Sequence, residues 1–151
     1  MVPIVKRQSC ISRKAVILQS RSSLLKSAKK HPMASIERFE DIKAWQKLVR
    51  TVYSLSTPTT KMGKDFGLRD QIRRASVSVM SNIAEGFARR GDKEFKRFLS
   101  IALGSAAEVQ SQLYAALDLN YITKKEFQEA YNVALETGKL ITGFMQYLNT
   151  D

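Results

Sequence analysis
The run from Leu68 to Phe87 constrains this chain most. Leu68, Ile72, Ala75, Val79, Ile83 and Phe87 recur at spacings of three and four, which traces one face of a helix about five turns long. The stripe is narrow and made mostly of small or β-branched residues. Ser78 and Asn82 lie one turn apart beside it, and Arg69 and Arg73 lie one turn apart on another face. An ordinary amphipathic helix needs no Asn at such a place, so polar side chains are expected next to an apolar helix–helix seam.

Three further stripes have the same period. Phe39, Ile42, Trp45, Val49, Val52 and Tyr53 predict a first helix from about Phe39 to Leu55, with Glu40 and Asp41 at its positive end. The segment from Ser56 to Phe66 holds Pro58 and three Thr and is expected to be irregular, with Asp65 capping the next helix. Gly91 breaks that second helix and Asp92 is the expected N-cap of the third. The third helix carries Phe95, Phe98, Leu99, Ala102, Ala106, Val109 and Leu113. Gly104 lies in its middle at a cost of about 1 kcal/mol relative to Ala, which suggests close approach of a neighbouring helix. Thr123 and Glu126 match a capping box, and Phe127, Tyr131, Ala134, Ile141, Met145 and Leu148 follow. No strand pattern competes, so the expected fold is all-α, an antiparallel up-down-up-down four-helix bundle over residues 36–151.

Residues 1–35 are expected to be a basic, disordered leader. Residues 1–32 hold eight Lys or Arg and no acid, whereas residues 33–151 hold 17 basic and 14 acidic residues. Most of the net charge of +11 thus belongs to the leader, and overall charge overstates any nucleic-acid argument for the body. The leader reads either as an upstream extension, with Met33 as the working start, or as an acid-free, Ser- and Arg-rich targeting segment. The lone Cys10 excludes an intramolecular disulfide and fits a reducing, cytoplasmic compartment. No apolar segment approaches the roughly 20 residues that cross a bilayer.

Catalytic chemistry finds little support. His31 and Cys10 are the only histidine and thiol, both in the leader, and no metal-ligand spacing or phosphate loop exists. The expectation is a non-enzyme with no cofactor and no metal. Glu85 and Glu108 are expected to pair with arginines between helices. With a turn centred near residue 90, residues equidistant from it lie level: Ala75 with Ser105, Asn82 with Phe98, and Arg73 with Glu108. Arg73 is therefore expected to pair with Glu108, and Asn82 to be buried and hydrogen-bonded. Arg89, Arg90, Lys93, Lys96 and Arg97 gather around the second turn and form the candidate nucleic-acid-binding end, contacting phosphates with little sequence readout.

The motif pieces Phe39-Glu40-Asp41-Ile42, Trp45-Gln46-Lys47, Gln71-Ile72-Arg73-Arg74-Ala75, Ser78, Asn82-Ile83-Ala84-Glu85-Gly86, Phe95 with Arg97-Phe98-Leu99, Ile101-Ala102, Gly104-Ser105 and Glu108 resemble, in order and spacing, the 23S ribosomal RNA intervening-sequence proteins. The resemblance spans about residues 36–150 and makes Arg73, Ser78, Asn82, Glu85, Gly86, Gly104, Ser105 and Glu108 its structural motif. The family often has a proline before the second helix, where this chain has Lys61-Met62-Gly63-Lys64-Asp65. The resemblance implies a bacterial four-helix bundle that assembles as a homopentamer, related to basic pentameric accessory proteins of diversity-generating retroelements that engage RNA and a reverse transcriptase. Trp45, Tyr53, Tyr114 and Tyr147 exceed what a small core requires, and aromatics favour interfaces. Two functions follow: an oligomeric RNA-binding protein, or a scaffold for a protein partner with incidental RNA contact.

Overall fold
The computed structural model describes Arg38, Asp41 and residues 44–89 and 91–148. The expectations for the leader, His31, Cys10, Phe39, Ile42 and Arg90 lie outside these residues. The elements are α1 (Ala44–Leu55), α2 (Lys61–Lys64), α3 (Phe66–Ala88), α4 (Asp92–Asp118) and α5 (Lys124–Tyr147). Each long helix packs on its neighbours in the chain, and α1 closes the ring against α5. This is the up-down-up-down four-helix bundle, with α3 against α4 as its most extensive contact.

The four stripes meet in one core. Leu48 and Val52 come from α1, Ile72, Val79 and Ile83 from α3, Phe95, Leu99, Val109 and Leu113 from α4, and Ala134, Ile141 and Phe144 from α5. Phe95 is fully buried and meets Phe87 and Phe144 edge-on, with ring centroids 5.9 and 5.1 Å away. Burial of side chains of this size contributes about 1.5–3 kcal/mol each.

Local chemistry sets the helix ends. The segment expected to be irregular contains α2: Thr60 Oγ1 accepts the Gly63 N–H at 3.0 Å, and Met62 is buried in the core. A capping hydroxyl and one apolar anchor suffice for this single turn. Asp65 caps α3 as expected, accepting the Leu68 N–H at 3.0 Å. Asp92 does not cap α4. Gly91 holds that position at φ 124°, where side chains are disfavoured, and Asp92 is the first helical residue, with Glu94 beside it at the positive end of the helix dipole. At the start of α5 the capping box is complete: Thr123 Oγ1 accepts the Glu126 N–H at 3.2 Å and the Glu126 carboxylate accepts the Thr123 N–H at 2.7 Å.

The register of α3 on α4 corrects the level pairs. Ser78, not Ala75, is level with Ser105, their hydroxyl oxygens 2.8 Å apart. Gly86, not Asn82, faces Phe98, because α3 runs on to Ala88 and the connector takes up Arg89 to Gly91. A Cβ on Gly86 would lie 2.5 Å from Phe98 Cβ and 2.9 Å from the Phe95 ring. Gly104 behaves in the opposite way. It is exposed, and a Cβ there would meet nothing within 4 Å, so the close approach expected within the chain is absent.

Gly86→Ala should therefore overpack the seam and lower stability by about 1–3 kcal/mol. Gly104→Ala should raise stability by up to about 1 kcal/mol through helix propensity alone. Urea unfolding of the two variants checks this opposition. At α5, Thr123→Ala should cost about 1 kcal/mol at neutral pH. Hydrogen bonds from the Thr123 backbone and hydroxyl hold the Glu126 carboxyl below its ordinary value of 4.5. A lowered carboxyl pKa stabilises the fold above that value and loses the contribution as pH falls through the folded pKa. The gap between wild type and Thr123→Ala should thus narrow below about pH 4.5 in thermal melts across pH.

Candidate nucleic-acid interface and motif residues
The motif residues on the inner side of the α3–α4 seam form a one-way hydrogen-bond relay. Ser105 Oγ donates to the Ile101 carbonyl at 3.1 Å, which leaves it to accept from Ser78 Oγ at 2.8 Å. Ser78 Oγ in turn accepts from Asn82 Nδ2 at 3.1 Å, and that amide also donates to the Ser78 carbonyl at 2.8 Å. Asn82 is bonded as expected, though half-buried, since it sits where the seam opens toward solvent. Two polar residues of α3 and one of α4 thus lock the register, because a shift of one residue would leave part-buried hydroxyls without partners.

Arg73 and Glu108 do not pair. Arg73 Nε donates to Ser56 Oγ at 2.8 Å, its Nη2 donates to the Ser56 carbonyl, and its guanidinium lies 4.7 Å over the Tyr53 ring. Ser56 is fully buried just past the end of α1, so Arg73 caps α1 and ties it to α3. Nothing in the spacing of two residues so far apart in sequence announces this pair; the signal available was Ser56 at a helix end with Pro58 behind it. Glu85 also departs from expectation. It pairs with Arg89 on its own helix at 2.6 Å, not between helices, because both project from the exposed last turn of α3. Glu108 is exposed and makes no ion pair among the described residues. It borders a shallow depression of about 230 Å³ with Gln71, Arg74, Ala75, Ser78 and Gln112.

The candidate basic end is assembled from the end of α3 and the first turns of α4. Arg89 lies 4.9 Å and Arg97 5.7 Å from the Phe98 ring centroid, so two cations share one aromatic side chain whose place in the apolar stripe marks it only as core. Lys93 is exposed and Lys96 half-exposed on the same turns. Arg89 is held by Glu85 and Arg97 by Glu94 at 3.7 Å. Such solvent-exposed pairs are worth about 0–1 kcal/mol and exchange readily for stronger anions. From residue 85 to 97 the chain carries five cations against three carboxylates, so the surplus is real but modest.

Tyr53 and Tyr114 are substantially exposed, while Trp45 and Tyr147 pack against the core. Tyr114 joins Phe127 and Tyr131 in a surface ring cluster, with centroids 4.9 and 5.5 Å away. A hydrogen bond to Tyr131 raises the Tyr114 hydroxyl above its ordinary pKa. Among the described residues no helix is long and apolar enough to cross a membrane, and no three His, Cys, Asp or Glu gather as a metal-ligand set.

The described residues form an antiparallel four-helix bundle. The chain belongs to the 23S rRNA-intervening sequence protein family, whose family model matches residues 40–143. In fold it is similar to a crystal structure of a protein of unknown function from the S23 ribosomal protein family of Bacteroides thetaiotaomicron. The two are 24% identical, with a TM-score of 0.65, over 70% of this chain and 97% of that one. No curated protein matches the chain.

The Arg73–Ser56 contact yields a direct expectation. Arg73→Ala should cost about 1–3 kcal/mol by leaving the buried Ser56 groups without their donors. Arg73→Lys should recover little of it, since an ammonium cannot bridge both acceptors in one plane. In a double-mutant cycle Arg73→Ala and Glu108→Ala should add without coupling, read from urea unfolding of the four proteins.

Proposed function
We propose that the protein is a non-catalytic, cytoplasmic, self-associating RNA-binding protein that grips RNA phosphates through the bundle end where α3 passes to α4. The observation that carries this reading is that Arg89 and Arg97 flank the Phe98 ring while Lys93 and Lys96 stand on the same first turns of α4. Arg90 adds a fifth cation in sequence. Membership of a family described by an intervening sequence of 23S rRNA supports RNA as the polyanion. The turn offers guanidinium and ammonium donors, which suit phosphate contacts with weak selectivity. Self-association, five-fold as the family resemblance implies, multiplies a modest patch through avidity.

Affinity for structured RNA should fall steeply between about 50 and 200 mM salt. Reversing Lys93, Lys96 and Arg97 to Glu should weaken binding about ten-fold or more at low salt. It should also flatten the dependence of log affinity on log salt by roughly 0.7–0.9 for each phosphate no longer neutralised. Fluorescence anisotropy with a labelled stem-loop reads both quantities. Affinity and slope unchanged by the triple reversal would remove the RNA assignment from this end and leave the protein-scaffold reading.

A further inference from the structure
Apart from Glu85, held by Arg89, the motif contains two contrasting sets of residues. Arg73, Ser78, Asn82, Gly86 and Ser105 are engaged inside the chain, as described above. Gln71, Arg74, Gly104 and Glu108 are all exposed, and none makes a side-chain bond among the described residues. They lie on one outer face of the α3–α4 pair. Gln71, Arg74 and Glu108 line a single depression with Gln112, whose Oε1 is buried without a hydrogen-bond donor. Gly104 is one turn from Glu108, and beside it Ile101 is 42% exposed.

The register gives these residues a common order. Ser78 is level with Ser105. Seven residues back on α3 and seven forward on α4, two turns each, Gln71 is level with Gln112. Four back and three forward, Arg74 is level with Glu108. Rotation about an axis parallel to the helices preserves level. A second bundle placed beside the first by such a rotation, its α3 against this α4, brings two complementary features together at once. Its Arg74 meets Glu108, and its Ser78 turn meets the open backbone at Gly104.

We propose that the outer α3–α4 face is the contact between copies of this chain, made by α3 of one protomer against α4 of the next with their helices side by side. The inference rests on the self-association reading and adds its face and orientation. One free guanidinium beside one free carboxylate suits a second copy of the same face, whereas a polyanion would meet Glu108 as a repulsive charge. The mid-helix Gly104, which nothing inside the chain requires, admits a neighbouring helix at short distance.

The experiment is sedimentation equilibrium of the full chain at micromolar concentration, with circular dichroism to follow the fold. Arg74→Glu or Glu108→Arg alone should raise the concentration for half-assembly roughly a hundred-fold, with helix content and cooperative unfolding retained because both side chains are exposed. The double variant Arg74→Glu/Glu108→Arg should regain the wild-type mass, since every contact then holds one reversed pair. Gly104→Trp, whose side chain enters open space in the single chain, should dissociate the assembly without unfolding it. An assembled wild type whose mass ignores both single reversals and Gly104→Trp would overturn the proposal and leave self-association standing through another face. A wild type of one-protomer mass would remove self-association and this face together. Reversals that lower RNA affinity at unchanged mass would instead assign the face to RNA and overturn the proposal.

Discussion
The close approach of α3 to α4 is the constraint on which the rest of the bundle depends. At Gly86 the two backbones come so near that a single Cβ would stand 2.5 Å from Phe98. That contact pushes Phe95 and Phe98 under α3 and seats Phe95 where it meets both Phe87 and Phe144. The aromatic group thereby ties α3, α4 and α5 at one end of the molecule. Two turns away the Ser78–Ser105–Asn82 relay takes over as the register lock. Apolar packing alone tolerates sliding, because one Ala or Val replaces another with little loss. A directional hydrogen bond in a part-buried seam does not, because its failure strands donors away from water. A narrow stripe of small residues allows the approach, and polar residues beside the stripe decide where it stops.

The third helix-to-helix tie is of a different kind. Arg73 reaches from α3 to the end of α1 and satisfies Ser56, which is buried at the point where the chain leaves α1. A buried helix end needs a donor for its last carbonyls, and a guanidinium offers two in one plane. Because Ser56 begins the connector that contains α2, this one side chain also sets how the connector enters the bundle. Met62 then fills the space beneath it. The loop is ordered from both sides, by Arg73 at its start and by Asp65 capping α3 at its end.

What was legible in the sequence, and what was not, follows from the range of the forces involved. Helix stripes, the Thr123 capping box and the Asp65 cap are local patterns, and each appears where its residues place it. The bundle class follows from counting stripes. The errors lie in contacts that depend on register between helices. An offset of one or two residues at the α3–α4 turn replaces Ala75 by Ser78 opposite Ser105, and it makes Gly86, not Gly104, the glycine that close packing requires. Arg73 and Arg74 are adjacent in sequence but project from the helix about 100° apart. Ser56 takes Arg73, while Arg74 is left on the surface beside Glu108. Periodicity says that a polar residue lies off the apolar stripe; it does not say which partner is in reach. The α2 turn escapes a periodicity argument because a four-residue helix has too few positions to show a period, although Thr60 is present as a capping signal.

The charge distribution has the same lesson at larger scale. Beyond residue 32 the chain carries 17 basic and 14 acidic residues, so its overall field is weak. Any attraction for a polyanion must come from placement. Charges more than about 10 Å apart are largely screened from one another at 0.1 M salt, so each end of a bundle acts on its surroundings almost independently. Across the α3–α4 connection, positions 85 to 97, the sequence carries five cations and three carboxylates. At the opposite end Asp65, Asp118, Glu126 and Glu129 stand against Lys61, Lys64, Lys124 and Lys125, four charges of each sign, and Lys61 reaches the Asn120 carbonyl there. Copies set side by side with their helices pointing the same way would add their basic ends together on one rim, whereas antiparallel copies would divide them between two rims. Orientation of assembly, more than net charge, decides whether a bundle of this composition presents a surface that RNA can recognise.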